Sequence, residues 1–281
     1  MAVYNRWILI ALFLLVTGWW TLSVYFPPRS PTESTPSFSL RATYMVYGDG
    51  CCARSKERAC EAALRHGFTR CLSLNKTHID SDFRVLHQTT LDQKRGAGYW
   101  LWKPFLIDDA LSHMDDDEIL LYADAGAELI ASAQPLLDLA RGPLGLAVFG
   151  LCHHRMSRFC KRDAFVLAGI DTAEAHSRHQ FLASFIVVRP TPFAREFIRR
   201  WLELSTDPRA LTDQPNELGP NLPDFFDHRH DQALLSAVAI AMNVVAHRDP
   251  SQWGKCWGRS QHTPLAHSPY GVLFNHDRWR D

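Results

Sequence analysis

Hydrophobic and polar positions fall into one long apolar run near the start of the chain, followed by short alternating blocks. Residues 7–26 carry no charge. Beyond them, ATYMVY at 42–47 predicts a short strand, ended by Gly48-Asp49-Gly50. Residues 54–66 predict a helix with Ala59, Ala62, Ala63 and Leu64 on one face and Gly67 closing it. A second strand is expected at 69–74. A helix follows at 103–114, with Pro104 in its first turn, where a missing N–H costs nothing. EILLYA at 118–123 is continuous and apolar, the pattern of a strand buried on both faces. Further strands are expected at 144–149 and 181–188, and further helices at 133–139, 192–204 and 231–242. Strands alternating with helices imply an α/β sheet that binds its ligands at the strand ends.

At about 1.5 Å per residue, a helix over 7–26 spans roughly 30 Å, the hydrocarbon thickness of a bilayer. Trp7 stands at one end and Trp19, Trp20, Tyr25 and Phe26 towards the other, where interfacial aromatics belong. Pro27 and Pro28 stop the helix. A cleaved signal peptide would have an apolar core of about 7–15 residues followed by small residues. This run is longer and ends in bulky rings. The Pro-, Ser- and Thr-rich stretch that follows has the composition of a stem. The chain therefore divides into a tail at 1–6, a transmembrane anchor at 7–26, a stem at 27–41 and a folded domain at 42–281. Flanking charges nearly balance, so they decide little about orientation. All seven cysteines follow the span, as does the sequon Asn75-Lys76-Thr77, marking Asn75 as a glycosylation candidate. Both fit a lumenal domain on a single-pass type II protein of the Golgi or endoplasmic reticulum. Lys plus Arg and Asp plus Glu are both 30, giving zero formal net charge. That balance argues against a nucleic-acid backbone binder.

Three segments have the residues for chemistry. In Tyr122-Ala123-Asp124-Ala125-Gly126, a carboxylate leaves a buried strand where open α/β sheets bind ligands. Asp124 can hold a divalent cation, and Gly126 lets backbone approach a ligand; the bland alternative is an Asp that caps the next helix or turn. In RGAGYWLWKP (95–104), Gly96 and Gly98 lie between Arg95 and Lys103 and suit a phosphate. The interleaved Tyr99, Trp100 and Trp102 offer ring faces to a base or sugar, or else fill the core. In His228-Arg229-His230-Asp231-Gln232 at a helix start, the histidines invite a zinc reading, and Asp231 is otherwise a helix cap. The pairs His153-His154 and His176/His179 lack metal spacing and read as surface residues.

The ordered set RGAGYWLWKP, LLYADAG, KRDAFVL, QFLASFIVVR, LTDQPN, HRHDQALLS and RDPSQWG resembles a family of GT-A-type glycosyltransferases related to capsular-polysaccharide and other nucleotide-sugar-dependent transferases. It covers about residues 42–255. The resemblance implies a GT-A-like, Rossmann-like mixed sheet flanked by helices, with a nucleotide-sugar donor at the strand ends and a hydroxyl acceptor. It implies donor contacts from Arg95, Gly98, Tyr99, Trp102, Lys103, Asp124, Gly126 and Arg162. Asp163 would touch the donor sugar or nucleotide, and Asp231 and Gln232 the reacting carbon or the acceptor. The expected cofactor is a divalent cation, Mn²⁺, at Asp124. The usual Asp-x-Asp is here Asp124-Ala125-Gly126, so a further ligand must come from elsewhere, with His276 the candidate. A non-catalytic binding module of the same fold and a membrane-tethered metallo-hydrolase are the competing readings.

Overall fold

The five-stranded sheet at the centre of the domain runs in the order Arg70–Leu74, Ala42–Tyr47, Ile119–Ala123, His179–Val188, Leu146–Arg155. The computed structural model describes residues 41–259 and 265–277. The expected anchor, and the stem apart from Arg41, lie outside these residues. Among the described residues no helix is long and apolar enough to cross a membrane. These residues belong to one compact unit.

Strands β1 (Ala42–Tyr47), β2 (Arg70–Leu74) and β3 (Ile119–Ala123) are parallel. β6 (His179–Val188) lies antiparallel to β3, and β5 (Leu146–Arg155) antiparallel to β6. A separate two-stranded ribbon pairs β4 (Ala127–Leu129) with β7 (Phe274–His276). The sheet is thus a mixed α/β sheet flanked by helices, as the resemblance implies. β1, β3 and β6 are buried along their whole length, as helices on both faces require.

Alternation along each strand divides the core in two. Tyr44 and Val46 of β1 join Leu121, Phe185 and the helices α1 (Ala53–Arg65) and α3 (Gln134–Ala140). Met45 and Tyr47 point the other way, into a larger cluster with α2 (Trp102–Ser112), α5 (Pro192–Thr206) and α6 (His230–Ala241). A further short helix, α4 (Arg162–Leu167), packs near α6. α5 is amphipathic because one side covers this core, and its Thr191 caps it by accepting from the Ala194 amide. In α6 nine residues of the first ten are buried, so its apolar pattern is nearly continuous rather than one-sided.

β5 runs past the expected residue 149 to Arg155. Register irregularities after Val148 and Gly150 let the polar CHHR end continue as strand, which an apolar pattern cannot show. Cys60 and Cys71 form a disulfide that ties α1 to β2. Cys152 is also disulfide-bonded.

Candidate active site

Three elements deliver one charged side chain each to the same place. Asp124 immediately follows β3, with its amide donating to the Ser184 carbonyl at 3.0 Å. Lys103 lies in the first turn of α2, and Asp231 in the first turn of α6. Lys103 Nζ is 2.6 Å from Asp231 Oδ2 and 3.2 Å from Asp124 Oδ1, and it donates to the Ala183 carbonyl at 3.2 Å. An ammonium has three N–H donors, and here three acceptors surround it. The Lys103 side chain is only 2% exposed, against 31% for Asp124. Lys103 therefore lies beneath the centre and Asp124 faces outward.

The surroundings separate the two carboxyls. Burial pushes Asp124 up, but Lys103 and the Tyr122 hydroxyl, which donates to Oδ1 at 2.6 Å, outweigh it, so Asp124 stays ionised. Asp231 is more deeply enclosed, and burial raises it to about 6 although Lys103 opposes the shift. Burial alone would lower Lys103, but its two carboxylate neighbours hold it above its ordinary value. Two carboxyls driven apart by their environments are a usual arrangement for acid–base work. The Trp201 indole N–H fixes the start of α6 by donating to the Asp231 carbonyl at 3.0 Å. Gln232 is half-buried and donates to Gln180 Oε1 at 2.7 Å, while Gln180 in turn donates to the Phe159 carbonyl.

Neither aspartate is a helix N-cap. α6 is preceded by Arg229, which provides no side-chain cap, and Asp231 lies inside the first turn with its carboxylate on Lys103. Asp124 precedes no helix; it opens the turn into β4, its carbonyl accepting from the Ala127 amide at 2.9 Å.

RGAGYW forms an unusual backbone. Gly96, Ala97, Gly98, Tyr99 and Trp100 all have positive φ, at 58°, 49°, 99°, 52° and 61°. Each non-glycine residue in a left-handed turn costs about 1–2 kcal/mol, so surrounding contacts must hold it. Arg95 pairs with Asp213 at 2.9 Å and with Asp227 at 3.5 Å. Asp213 also meets His230 Nε2 at 3.0 Å, and the Tyr99 ring lies 5.1 Å from the His230 ring. The glycines serve the turn itself. A side chain on Gly98 would meet the Leu91 backbone at 2.7 Å, and one on Gly96 would enter the Trp100 indole. Gly98 is buried against Leu91, so its close approach is to protein rather than to a ligand. Trp102 is buried too: it stacks on Tyr47 with ring centroids 3.7 Å apart and donates to the Gly96 carbonyl. Its ring face is used by the core.

Arg162 and Asp163, expected at the donor, have other partners. Arg162 pairs with Asp171 at 2.6 Å. Asp163 is fully buried and accepts from the Glu217 and Leu218 amides at 2.8 and 2.9 Å, pinning an irregular segment. The zinc reading of the histidines fails on geometry. His228 accepts from the Lys161 amide at Nδ1 and donates from Nε2 to the Ala210 carbonyl, so both ring nitrogens are occupied. Burial lowers its pKa far below the ordinary imidazole value, which keeps it neutral. His179, expected at the surface, is buried.

His276 is brought near Asp124 by β7, which pairs it with Ala127, and it contributes to holding Asp124 ionised. The expected divalent cation nevertheless does not fit these donors. Asp124 Oδ1 already receives Tyr122 and Lys103, and Gly126 has no carboxylate. Among the described residues no group of three or more His, Cys, Asp or Glu side chains converges to hold a metal. Gly126 borders a shallow recess lined by Ser55, Arg58 and Asn275. Asn75 accepts from the Thr77 amide and hydroxyl, so the sequon forms a compact turn. Sequence reasoning missed Tyr122, Gln180, Asp213 and Trp201. Asp213 lies within the quoted LTDQPN, but no local pattern connects it to His230.

No family model matches the chain, and no curated protein matches its sequence. Among solved structures it is similar to the bifunctional glycosyltransferase WbbM, at 14% identity and TM-score 0.42, over 72% of this chain but only 38% of that one. It is similar to the galactosyltransferase LgtC, solved with donor and acceptor sugar analogues, at 14% identity and TM-score 0.42, over 83% of this chain and 86% of that one. Mouse xyloside xylosyltransferase 1 gives 12% identity and TM-score 0.40, over 84% and 96% of the two chains. At these levels the likeness assigns neither family nor chemistry, and the residues around Lys103 have to carry the functional reading.

Proposed function

We propose that the chain is a GT-A-type, nucleotide-sugar-dependent glycosyltransferase, with its reaction centre at Asp124, Lys103 and Asp231. One observation carries this reading: a buried ammonium joins a carboxylate at the end of a central strand to a second carboxylate whose pKa is raised to about 6. Strand ends are where open α/β sheets bind ligands. A carboxyl near 6 is ionised at neutral pH yet basic enough to take a proton.

In an inverting reaction, Asp231 takes the acceptor hydroxyl's proton as that oxygen bonds the anomeric carbon. The bond from that carbon to the donor phosphate breaks, and the nucleotide diphosphate leaves with the electron pair. Asp124 and Gln232 then orient sugar and acceptor hydroxyls, Asp124 as a fixed acceptor. In a retaining reaction the demand for a base relaxes, and the same pair orients the sugar. No step is routed through a metal.

Residues 7–26 anchor the chain in this proposal, with residues 42–281 in the lumen of the Golgi or endoplasmic reticulum. The Cys60–Cys71 disulfide supports an oxidising compartment. Asn75 is the glycosylation site. Against the metallo-hydrolase reading, His228 has both ring nitrogens on backbone groups. A non-catalytic sugar-binding module is separated by experiment. The purified full chain is incubated with a panel of nucleotide sugars and hydroxyl acceptors, and release of nucleotide diphosphate is followed. Turnover of at least one donor is expected; binding of a donor without turnover would identify a binding module instead.

A further inference from the structure

We infer that Lys103 stands in the position that a bridging divalent cation would take, and that the Asp124–Asp231 centre works without one. The inference rests on the glycosyltransferase reading and adds the source of positive charge at that site. Its grounds are geometric. The Lys103 ammonium lies between the two carboxylates, 3.2 Å from Asp124 Oδ1 and 2.6 Å from Asp231 Oδ2. The Ala183 carbonyl takes its third proton. The Tyr122 and Trp102 rings lie 5.3 and 5.8 Å from Nζ, adding attraction for a cation from their faces. The side chain is 2% exposed, and with every N–H partnered it has no reason to leave.

A divalent cation needs several oxygen ligands, and this centre is short of them. Asp124 Oδ1 is shared by Lys103 and Tyr122, Asp231 Oδ2 belongs to Lys103, and Gly126 has no carboxylate. A metal at the remaining Asp124 oxygen would lie beside a buried ammonium that two carboxylates hold. Like charges repel more strongly where water is excluded. Lys103 is thus a positioning residue: it fixes both carboxylates and neutralises one of their two charges.

The test uses Mn²⁺ alone, titrated into the full chain and followed by the electron paramagnetic resonance signal of the free ion. It is repeated with UDP and with GDP, each corrected for nucleotide without protein. The wild type is expected to remove no stoichiometric Mn²⁺ under any of these conditions. Lys103→Ala opens the space between two carboxylates, the Tyr122 hydroxyl and the Ala183 carbonyl, and is expected to bind one Mn²⁺ per chain. One Mn²⁺ bound by the wild type and lost in Asp124→Asn would overturn the inference, as would a folded Lys103→Ala that binds none. If Lys103→Ala fails to fold, the wild-type and Asp124→Asn titrations still decide. A chain that turns over no nucleotide sugar sinks the transferase reading but leaves these titrations interpretable, because they need no donor.

Discussion

Two of the lysines buried among the described residues, Lys103 and Lys161, have partners of different kinds. Lys103 faces two carboxylates at the end of β3 and the start of α6. The Lys161 ammonium donates to backbone carbonyls, those of Thr212 at 3.2 Å and Gln214 at 2.6 Å. The electrostatics follow. Carboxylate neighbours hold Lys103 above its ordinary pKa, whereas burial takes Lys161 below its own. Around Lys161, Asp163 and His228 likewise bind backbone, so that cluster fastens the irregular segment after residue 211. A buried charge paired with neutral backbone closes a loop. A buried charge between two carboxylates of unequal acidity makes a centre for chemistry.

Matched substitutions should separate the two. Lys103→Met leaves two carboxylates against each other, and breaking a buried ion pair in this way costs about 3–5 kcal/mol. Transfer by the molecules that remain folded should drop by about a hundredfold or more, the usual scale when acid–base positioning is lost. Lys161→Met leaves two carbonyls short of a donor, at about 1–3 kcal/mol each. Its melting temperature should fall, while turnover per folded molecule stays within a few-fold of wild type. Equal losses of turnover in both variants would erase the distinction.

The pH dependence gives a smaller and finer test. If Asp231 acts as a base, it must be unprotonated, so kcat/KM should fall about tenfold per pH unit below about 6 and level off above it. The sign for stability is opposite. Because the folded-state pKa is raised from 3.8, the folded chain holds this proton more tightly than the unfolded one, and Asp231 costs stability as pH rises towards 6. A kcat/KM profile flat from pH 5 to 8 would remove Asp231 from proton transfer.

Much of the fold was legible because apolar runs such as ATYMVY and EILLYA are buried on both faces, leaving composition and turn residues to mark their ends. The candidate site was legible only in pieces. Asp124 stood out because it follows a buried strand, and Lys103 because it flanks Gly96 and Gly98 opposite Arg95. Their meeting with Asp231 was hidden, since Lys103 and Asp231 are 128 residues apart. Local pattern also misdirects where tertiary packing decides. Trp102 sits in an aromatic, glycine-rich stretch but stacks on Tyr47, and Asp163 follows a cation but anchors amides from 54 and 55 residues away. The left-handed turn at 96–100 was equally invisible, because Ala97, Tyr99 and Trp100 are not residues that favour positive φ.

The central claim is that Asp231 belongs to a sugar-transferring centre and is not a structural residue of α6. The most direct measurement follows nucleotide-diphosphate release from the donor panel by wild type and Asp231→Asn, with a melting curve on each preparation. Asn keeps the size and can still accept from Lys103, but it cannot take a proton near neutral pH. The account predicts at least one donor turned over by the wild type and a loss of about 10²–10⁴ in Asp231→Asn while it still melts cooperatively. A folded Asp231→Asn that turns over the same donor at the wild-type rate would contradict it.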